Sequence, residues 1–391
     1  MKSGVCIVGI GLVEAVGPLA DMSHKEMLFY STRKALDDSG LERKDIGSAI
    51  TATFDFLEGR SLSNQYTLDS IGGVMKPCDL RLGEDGMYSL FAGCMEVMSD
   101  PSQVVVVASV QKASERDPKG LGYQKLIADS MEPVFSRPVC KSVPDPLSLE
   151  SVLAAMDARA FMERTGLSED DVANVAVKNL NLSTVRSGLG VDQKDVLKSN
   201  LLSWPIRSLT KAKETDAACT IILASEKKAR ALGREPVFVS GFGWCSNKSH
   251  LPFRGQGVSK ETKWAAREAY KMAGIQRPEQ EIDLAEVSDW YAHRELIHCE
   301  ALGLCGSDEP RKCVTDGRFE KEGRLPVNPS GGLLGRGNAI GTSGLIRVAQ
   351  VVEQIRGEAN GSRVQGAEVG LAHSWGGIPT ATAGVTVLTK W

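Results

Sequence analysis

The feature that most constrains the fold of this sequence is an internal repeat. Two amphipathic segments, 23–41 and 259–275, each begin at a serine and end at a glycine followed by an apolar residue. Serine is a favoured helix N-cap, and glycine is favoured where a helix ends in the left-handed conformation. Each segment leads through an acidic residue to a short apolar run, at 48–53 and 284–287, which predicts a strand. The chain therefore carries the same helix–strand unit twice.

A second pair of segments repeats in the same order. Residues 85–98 and 343–356 both open with a short polar residue and a glycine, and both continue as apolar helical patterns. Each is followed by an apolar run, at 104–108 and 369–372, which predicts another strand. Two copies of strand–helix–strand–helix–strand are typical of a duplicated α/β fold, in which helices cover the faces of a sheet.

The repeats divide the chain into three predicted parts. Residues 1–117 and 216–255 form the N-terminal half, and residues 256–391 form the C-terminal half. Residues 118–215 interrupt the first half with irregular, proline-bearing sequence and amphipathic helical patterns such as 151–165. We expect this segment to be an inserted loop or cap domain.

Charge and cysteine content limit the classes of function. The chain has 391 residues and a formal net charge of −3, whereas nucleic-acid binding needs a basic surface. Its nine cysteines form no CxxC pair and no spacing typical of zinc, so we expect no metal in this chain. The N-terminus predicts a buried strand rather than a signal peptide, and no apolar run approaches the roughly 20 residues that span a bilayer. We expect a cytoplasmic protein that binds neither nucleic acid nor membrane.

A lone GxG pattern near the N-terminus has a weaker interpretation. Gly9 and Gly11 follow the first predicted strand residues, as they would in a dinucleotide-binding loop. No third glycine follows at the required spacing, so a tight turn is the preferred interpretation.

Four motifs together indicate a family. They read DAACTIILA at 216–224, SDWYA at 288–292 with EL at 295–296 and EALG at 300–303, PVNPSGG at 326–332, and GNAIGTSG at 337–344. In type and order they resemble motifs of the thiolases, most closely the sterol-carrier-protein-type thiolases. The resemblance implies a duplicated thiolase fold of five layers, αβαβα, with an inserted loop domain. It also implies an acyl-coenzyme A substrate and a homodimer.

The resemblance places a glycine at the nucleophile position. Thiolases carry a cysteine in a CxSG pattern at the start of the first buried helix, where the helix dipole stabilises a thiolate. Residues 83–86 read GEDG, and Gly83 has no side chain that could accept an acyl group. Cys78 and Cys94 flank the position, with buried structural thiols as the preferred interpretation. The acids at 84 and 85 invite a role as base, but we expect Asp85 to cap the helix.

Two further family positions have lost a titrating group. Asn338 stands where the family has the histidine of its GHP motif, and Ser288 stands where it has the histidine of HDxF. An amide or a hydroxyl can donate a hydrogen bond to an enolate oxygen, but an amide cannot serve as a general base. We therefore expect an oxyanion-stabilising lining without the acyl-transfer machinery.

The remaining candidates are two proton-transfer residues and three cations. His373 lies in the glycine-rich C-terminal loop where thiolases place their second catalytic group, with a buried structural histidine as the alternative. Tyr291 follows a predicted strand, with core packing as the alternative. Arg207, Lys211 and Lys213 are expected to meet the phosphates of coenzyme A, although basic loop residues are often merely solvated.

Three functions remain open at this stage. The preferred one is an enzyme that makes or breaks a carbon–carbon bond beside a coenzyme A thioester without an acyl-enzyme, by retro-aldol cleavage or by direct attack of coenzyme A. The resemblance implies that such an enzyme works with a small zinc-ribbon/OB-fold partner. The second is a non-catalytic subunit of a heteromeric complex. The third is an ordinary acyltransferase with a displaced cysteine.

Overall fold

The computed structural model of the chain describes residues 4–15, 17–54, 67–115, 149–183, 185, 190–233, 236–248, 254–307 and 309–390. Its strands are β1 Val5–Glu14, β2 Ser48–Ala52, β3 Cys78–Leu82, β4 Val104–Gln111, β5 Leu201–Ser203, β6 Ile206–Arg207, β7 Ala217–Ser225, β8 Val237–Ser246, β9 Leu284–Glu286, β10 Val369–Trp375 and β11 Thr382–Thr389. Its helices are α1 His24–Ser39, α2 Leu68–Ile71, α3 Gly86–Ser99, α4 Leu149–Thr165, α5 Glu169–Leu182, α6 Gln193–Lys198, α7 Glu226–Ala231, α8 Lys260–Ala273, α9 Pro278–Glu281, α10 Ala292–Ala301, α11 Pro310–Thr315, α12 Gly332–Arg336, α13 Ser343–Arg356 and α14 Gly377–Thr380.

Both repeated helices end as their sequence predicts, but the predicted serine cap is formed only on the first, since the Ser259 side chain makes no cap hydrogen bond. Ser23 and Glu26 form a capping box at the start of α1, and Gly40 ends this helix with a φ of 72°. Ser259 occupies the N-cap position of α8, and Gly274 ends it with a φ of 80°. Glycine has no β-carbon and adopts this left-handed conformation without a steric penalty, which explains why each helix ends at a glycine.

The main sheet consists of two half-sheets that mirror each other. Its strand order is β3-β2-β4-β7-β1-β8-β11-β10-β9. β1 and β8 meet in the middle and pair only at Cys6 and Ile7 of β1. Outward from this junction, each half has an antiparallel neighbour, a further antiparallel strand and then a parallel one. The predicted duplication is confirmed.

β8 corrects one boundary of the sequence analysis. Residues 216–255 were assigned to the N-terminal half, yet β8 pairs with β11 along most of its length, from Phe238 to Ser246. It thus occupies in the second half the position that β1 occupies in the first. We therefore place β8 at the start of the second half, because strand pairing rather than sequence order defines the sheet.

Three apolar clusters lie between the layers. One joins α1 to the outer face of the first half-sheet, and a second joins α3 and α13 to the inner faces of both half-sheets. The third joins α8 and α10 to the outer face of the second half-sheet and extends into α4 and α5. This is the expected αβαβα arrangement, and its central layer holds the two repeated buried helices.

The glycines of the GxG pattern serve helix packing. Gly9 and Gly11 lie inside β1, so the expected tight turn is wrong. A β-carbon at either position would meet backbone of α1, at the carbonyl oxygens of Ala35 and Ser31. These glycines allow the helix to approach the strand closely.

The chain between β4 and β7 forms α4, α5, α6 and the two-stranded β5–β6 unit. The boundaries at residues 118 and 215 stay a prediction, and residues 118–148 lie outside the described residues. Within the described ranges, no helix has the length and apolar content that a membrane crossing requires. The same ranges contain no cluster of histidine, cysteine and acidic side chains suited to a metal ion.

Candidate functional site

Asp85 joins the starts of the two central helices. Its Oδ1 accepts a hydrogen bond from the backbone N of Met87 at 2.9 Å, which caps α3 as predicted. Its Oδ2 accepts another from the backbone N of Gly344 at 3.1 Å, in the first turn of α13. The side chain is buried, and burial raises its pKa to about 6 although Met87, Gly344 and Arg347 favour the ionised form. Asp85 is therefore mostly ionised at neutral pH and electrostatically ties the two halves together.

Gly83 lies at the surface just before this junction. It is exposed, and a β-carbon built on it would have no atom of the described residues within 4 Å. The nucleophile position predicted by resemblance is thus open space beside the start of α3, with room for a small group.

Glu84 follows Gly83 in the sequence and is the titratable residue next to the open space beside Gly83. It is half-buried, and its Oε2 accepts a hydrogen bond from Thr382 Oγ1 at 3.4 Å, across the turn between β10 and β11. Burial raises its pKa to about 7, and the negative charge of Asp85 adds to the increase. The buried hydroxyl of Tyr88 lies beside it, and burial together with the charges of Glu84 and Asp85 raises the pKa of this hydroxyl. A carboxyl group with this pKa can accept and return a proton at neutral pH.

The sequence analysis named residues 84 and 85 together as acids that invite a role as base, and it assigned capping to Asp85 without distinguishing the pKa of Glu84. The available signal was that two adjacent carboxylates disfavour double ionisation, which raises one pKa when one of them is fixed as a cap.

Asn338 lies in the loop that packs against the start of α3. The carbonyl oxygen of Gly341 in this loop accepts a hydrogen bond from Gly86 N at 2.6 Å. The Oδ1 atom of Asn338 accepts from Ser343 Oγ at 2.9 Å. Its Nδ2 atom is buried and has no partner among the described residues. The structure thus brings Asn338 to the same helix junction as Gly83 and leaves it an amide donor.

His373 is buried with both ring nitrogens engaged. The backbone N–H of Ser288 donates to Nδ1 at 3.3 Å, so the ring proton resides on Nε2, which lies 3.0 Å from Thr262 Oγ1. Burial, then His298 and Arg347, holds the pKa of His373 well below its usual range. In this conformation neither ring nitrogen is open to a substrate proton, which corresponds to the structural alternative.

Ser288 and His298 complete the surroundings of His373. The carbonyl oxygen of Ser288 accepts from His298 Nδ1 at 2.7 Å, and the two imidazole rings lie 4.5 Å apart. Burial holds the pKa of His298 well below its usual range. The structure therefore joins Ser288 to His373 through backbone, as part of a neutral buried cluster at the carboxyl ends of β9 and β10.

Tyr291 contacts residues of the inserted segment. Its buried hydroxyl donates to Glu150 Oε1 at 2.7 Å, and Lys211 donates to Glu150 Oε2 at 2.9 Å. The Lys211 ammonium lies 5.7 Å from the centre of the Tyr291 ring. Two of the predicted site residues are thus held by one carboxylate at the start of α4.

Arg207 and Lys213, the other residues predicted to contact phosphates, differ in whether a carboxylate already pairs with their positive charge. Arg207 Nε pairs with Glu169 Oε1 at 2.5 Å, so its charge is already compensated. Lys213 is exposed, and its backbone carbonyl accepts from Asn338 N at 2.7 Å. Lys213 is consequently placed near the site with its ammonium facing solvent.

The flanking cysteines are poorly placed to replace a nucleophile. Cys94 is buried on α3, and burial raises its pKa far above the normal range, so it stays a thiol. Cys78 begins β3, while Gly83 follows the end of that strand. Five strand residues at about 3.3 Å each separate them by roughly 16 Å.

Comparisons with known proteins identify the family and the fold. A sequence family described as thiolase C-terminal domain-like matches residues 245–390. Sterol carrier protein 2 of Homo sapiens is 34% identical over 409 residues, which cover 95% of this chain and 70% of that protein.

The names of several relatives describe reactions. An acetyl-CoA acetyltransferase of Methanothermobacter thermautotrophicus is 29% identical and covers 99% of both chains. A 17-hydroxy-3-oxo-4-pregnene-20-carboxyl-CoA lyase of Mycobacterium tuberculosis is 27% identical and covers 97% of this chain and 99% of that protein. Among solved structures, an Ltp2-ChsH2(DUF35) aldolase superposes with a TM-score of 0.82 at 21% identity, over 100% of this chain and 98% of that one. This structural match shows a shared fold.

Proposed function

Because this chain belongs to the thiolase superfamily, we propose that it acts on an acyl-coenzyme A and makes or breaks a carbon–carbon bond beside the thioester without an acyl-enzyme. One observation carries the proposal: an exposed glycine at the nucleophile position adjoins a glutamate whose pKa is about 7. The site has thus lost a nucleophile while it retains a group suited to proton transfer.

Retro-aldol cleavage of a 3-hydroxyacyl-coenzyme A uses these groups with balanced chemistry. Glu84 takes the hydroxyl proton, and the oxygen electrons form a carbonyl as the bond between carbons 2 and 3 breaks. The bonding electrons become a thioester enolate, whose oxygen the Nδ2 donor of Asn338 stabilises. Protonated Glu84 returns the proton to carbon 2, so the carboxylate is regenerated.

The relatives' names include both acyl transfer, in an acetyl-CoA acetyltransferase, and carbon–carbon cleavage, in a coenzyme A lyase. One named relative is a coenzyme A lyase, and the neighbouring structure is an aldolase complex. Direct attack of free coenzyme A on a 3-ketoacyl-coenzyme A is a variant that needs the same groups. Acyl transfer through a displaced cysteine is disfavoured by the protonated, buried Cys94 and by the distance to Cys78.

A groove on the inserted segment offers a place for the nucleotide of coenzyme A. It has a volume of about 630 Å³ and is lined in part by Met156, Arg159, Trp204 and Gln256. The Trp204 ring is half exposed, and the Arg159 guanidinium lies 5.5 Å from its centre. A flat aromatic face beside a cation suits a base and its phosphates. In this proposal Lys213 meets the pantetheine end rather than the nucleotide.

The proposal also includes the partner protein and the oligomeric state. The solved neighbour is a complex of Ltp2 with the DUF35 protein ChsH2, and we propose that this chain likewise works with a small zinc-ribbon/OB-fold partner. A homodimer and a cytoplasmic location are further predictions from sequence.

The test has a binding arm and a reaction arm. Heat denaturation with millimolar coenzyme A should show a higher melting temperature, because a ligand of the native state stabilises it. Incubation with a panel of 3-hydroxyacyl-coenzyme A thioesters should yield a shortened acyl-coenzyme A and a carbonyl product by mass spectrometry. Intact-protein mass spectra should show no acyl adduct. An acyl adduct on a native cysteine would instead support the displaced-cysteine acyltransferase.

The non-catalytic alternative makes a different prediction in the same experiment. A subunit that only supports a partner should show no shift in melting temperature with coenzyme A, alone or with thioesters. It should also release no product when the small zinc-ribbon/OB-fold protein is added. That result would refute the enzyme proposal.

A further inference from the structure

We propose that a small cavity behind the turn between β10 and β11 binds an uncharged oxygen-bearing group, such as a ketone, on the acyl chain of the substrate. The inference rests on the proposed function and narrows its substrate class. The cavity has a volume of about 30 Å³ and is lined by α4, residues 254–258, Arg294 of α10 and the turn that follows Trp375. A volume of this size holds a group no larger than two water molecules.

Two buried donors line the cavity. Arg294 Nη1 and Trp375 Nε1 have no hydrogen-bond partner among the described residues. The guanidinium of Arg294 lies 4.3 Å from the centre of the Trp375 ring, so the two side chains are stacked. An unmade buried hydrogen bond is costly, and donors of this kind discriminate strongly for a ligand that supplies an acceptor.

The cavity has balanced charges, which favours a neutral acceptor. Arg294 Nε pairs with Asp157 Oδ2 at 2.9 Å, and His293 also faces this carboxylate. Arg254 faces Glu261, which in turn accepts hydrogen bonds from Ser259 and Asn247. Each lining cation thus already has a lining anion. A substrate carboxylate would add an uncompensated negative charge, whereas a ketone oxygen would satisfy the donors without one.

The cavity adjoins both the reactive group and the nucleotide groove. Ala381 lines the cavity, and the next residue, Thr382, donates the hydrogen bond to Glu84. Gln256 lines both this cavity and the 630 Å³ groove. One acyl-coenzyme A molecule would therefore pass from the groove to the cavity along the turn that carries the contact to Glu84.

The test compares thioesters of equal chain length by titration calorimetry. The probes are hexanoyl-coenzyme A, its keto isomers with the ketone at each position beyond the thioester, and adipoyl-coenzyme A, which ends in a carboxylate. At least one keto isomer should bind roughly tenfold more tightly than hexanoyl-coenzyme A, as expected for a hydrogen bond to buried or charged donors. Adipoyl-coenzyme A should bind no more tightly than hexanoyl-coenzyme A.

A matched pair of variants assigns the effect to the cavity. Trp375→Phe removes the N–H and keeps an aromatic ring beneath Arg294, so it should reduce the keto preference several-fold. Trp264→Phe is the control, because Trp264 is exposed and carries Arg267 stacked at 3.7 Å in the same manner outside the cavity. This control should leave the preference unchanged.

The outcomes separate the two proposals. If coenzyme A and every thioester bind but with equal affinity, or if Trp375→Phe keeps the full keto preference, the cavity proposal alone is overturned. Tightest binding of adipoyl-coenzyme A also overturns it. If neither coenzyme A nor any thioester binds, the proposed function falls, and this inference falls with it.

Discussion

The starts of α3 and α13 occupy equivalent positions in the two halves, yet they have opposite characters. Before α3, Gly83 is exposed and Glu84 is half-buried beside open space. Before α13, Asn338 and Thr342 are 1% and 0% exposed. One carboxylate, Asp85, accepts hydrogen bonds from the backbone N–H groups of both helix starts. The first half therefore presents groups to a ligand, and the second half holds the surroundings fixed.

The different solvent exposure of the two helix starts indicates which half can hold the residue that transfers a proton to or from the substrate. The candidates taken from family motifs, His373, Ser288 and Asn338, all belong to the second half and are buried there. His373 has both nitrogens engaged, and Asn338 offers a donor that does not titrate. The accessible titrating group, Glu84, belongs to the first half. Buried groups can orient and polarise, whereas a general base must reach the substrate.

The comparison predicts its largest effect for Glu84→Gln. This change keeps the shape and removes the titrating carboxyl, so the turnover of a cleavable thioester should fall about 100-fold to 10,000-fold. Coenzyme A should still raise the melting temperature, because binding does not use this proton. Steady-state kinetics beside a thermal shift assay measure both properties.

Glu353 supplies the matched control for this experiment. It is a partly buried glutamate on α13 whose pKa burial also raises to about 7, but it faces Glu14 and Arg336 rather than Glu84. Glu353→Gln should leave turnover within a factor of about two. Equal losses in both variants would mean that the two halves do not differ in the way described.

Asp85→Ala is expected to have the next largest effect. It removes the cap of α3 and leaves the Gly344 N–H at the start of α13 without its acceptor, which should lower the free energy of unfolding by about 3 kcal/mol. Asp100→Ala, at the exposed end of α3, should lower it by no more than about 1 kcal/mol. Urea denaturation measures both. A loss for Asp85→Ala as small as that for Asp100→Ala would show that the helix starts are not coupled.

The sequence predicted the fold well for a physical reason. Local signals such as the Ser23 cap, the Gly40 and Gly274 helix ends and the Asp85 cap each act within a few residues, and all are present. The exception, β8, depended on a partner strand more than a hundred residues later in the chain. Its apolar pattern is compatible with a strand, but such a pattern does not identify β11 as the neighbouring strand.

The site was less predictable, because burial depends on distant contacts. The contact of Glu84 with Thr382 joins residues 298 positions apart, and no local pattern encodes it. His373 was a reasonable proton-transfer residue by type, but only the packing of Thr262, Ser288 and His298 shows that its nitrogens are engaged. Motifs locate residues in a fold, whereas their solvent access follows from the whole packed structure.

Alanine substitutions at Gly86 and Gly83 test whether the first is tightly packed and the second is open. A β-carbon on Gly86 would approach Ser109 Cβ and Leu345 Cβ at 2.7 and 2.9 Å. Gly86→Ala should therefore cost about 1–3 kcal/mol of stability through overpacking. A β-carbon on Gly83 meets no atom of the described ranges within 4 Å, so Gly83→Ala should change stability by less than about 1 kcal/mol. Similar losses in thermal unfolding would contradict the open character of Gly83.

The same opening predicts selective labelling of Gly83→Cys. An exposed thiol should react with iodoacetamide under conditions in which Cys94, buried with a raised pKa, does not. Peptide mass spectrometry locates the label. Labelling of Cys94 at the same rate would indicate that the start of α3 is no more accessible than its interior.

The smallest expected effect is a shift in pH dependence. If ionised Glu84 is the base, kcat/KM should rise about tenfold per pH unit below about 7 and level off above it, since the pKa is raised to about 7. The neighbouring groups are Asp85, Tyr88 and Thr382, of which Asp85 carries a charge near neutral pH. Its negative charge opposes ionisation of Glu84, so Asp85→Asn should move the midpoint of the pH profile downward, by less than about one unit. A midpoint that stays in place or moves upward would show that Asp85, the cap of α3, does not lower or raise the pKa of the half-buried Glu84, and the proposed electrostatic link between them would be refuted.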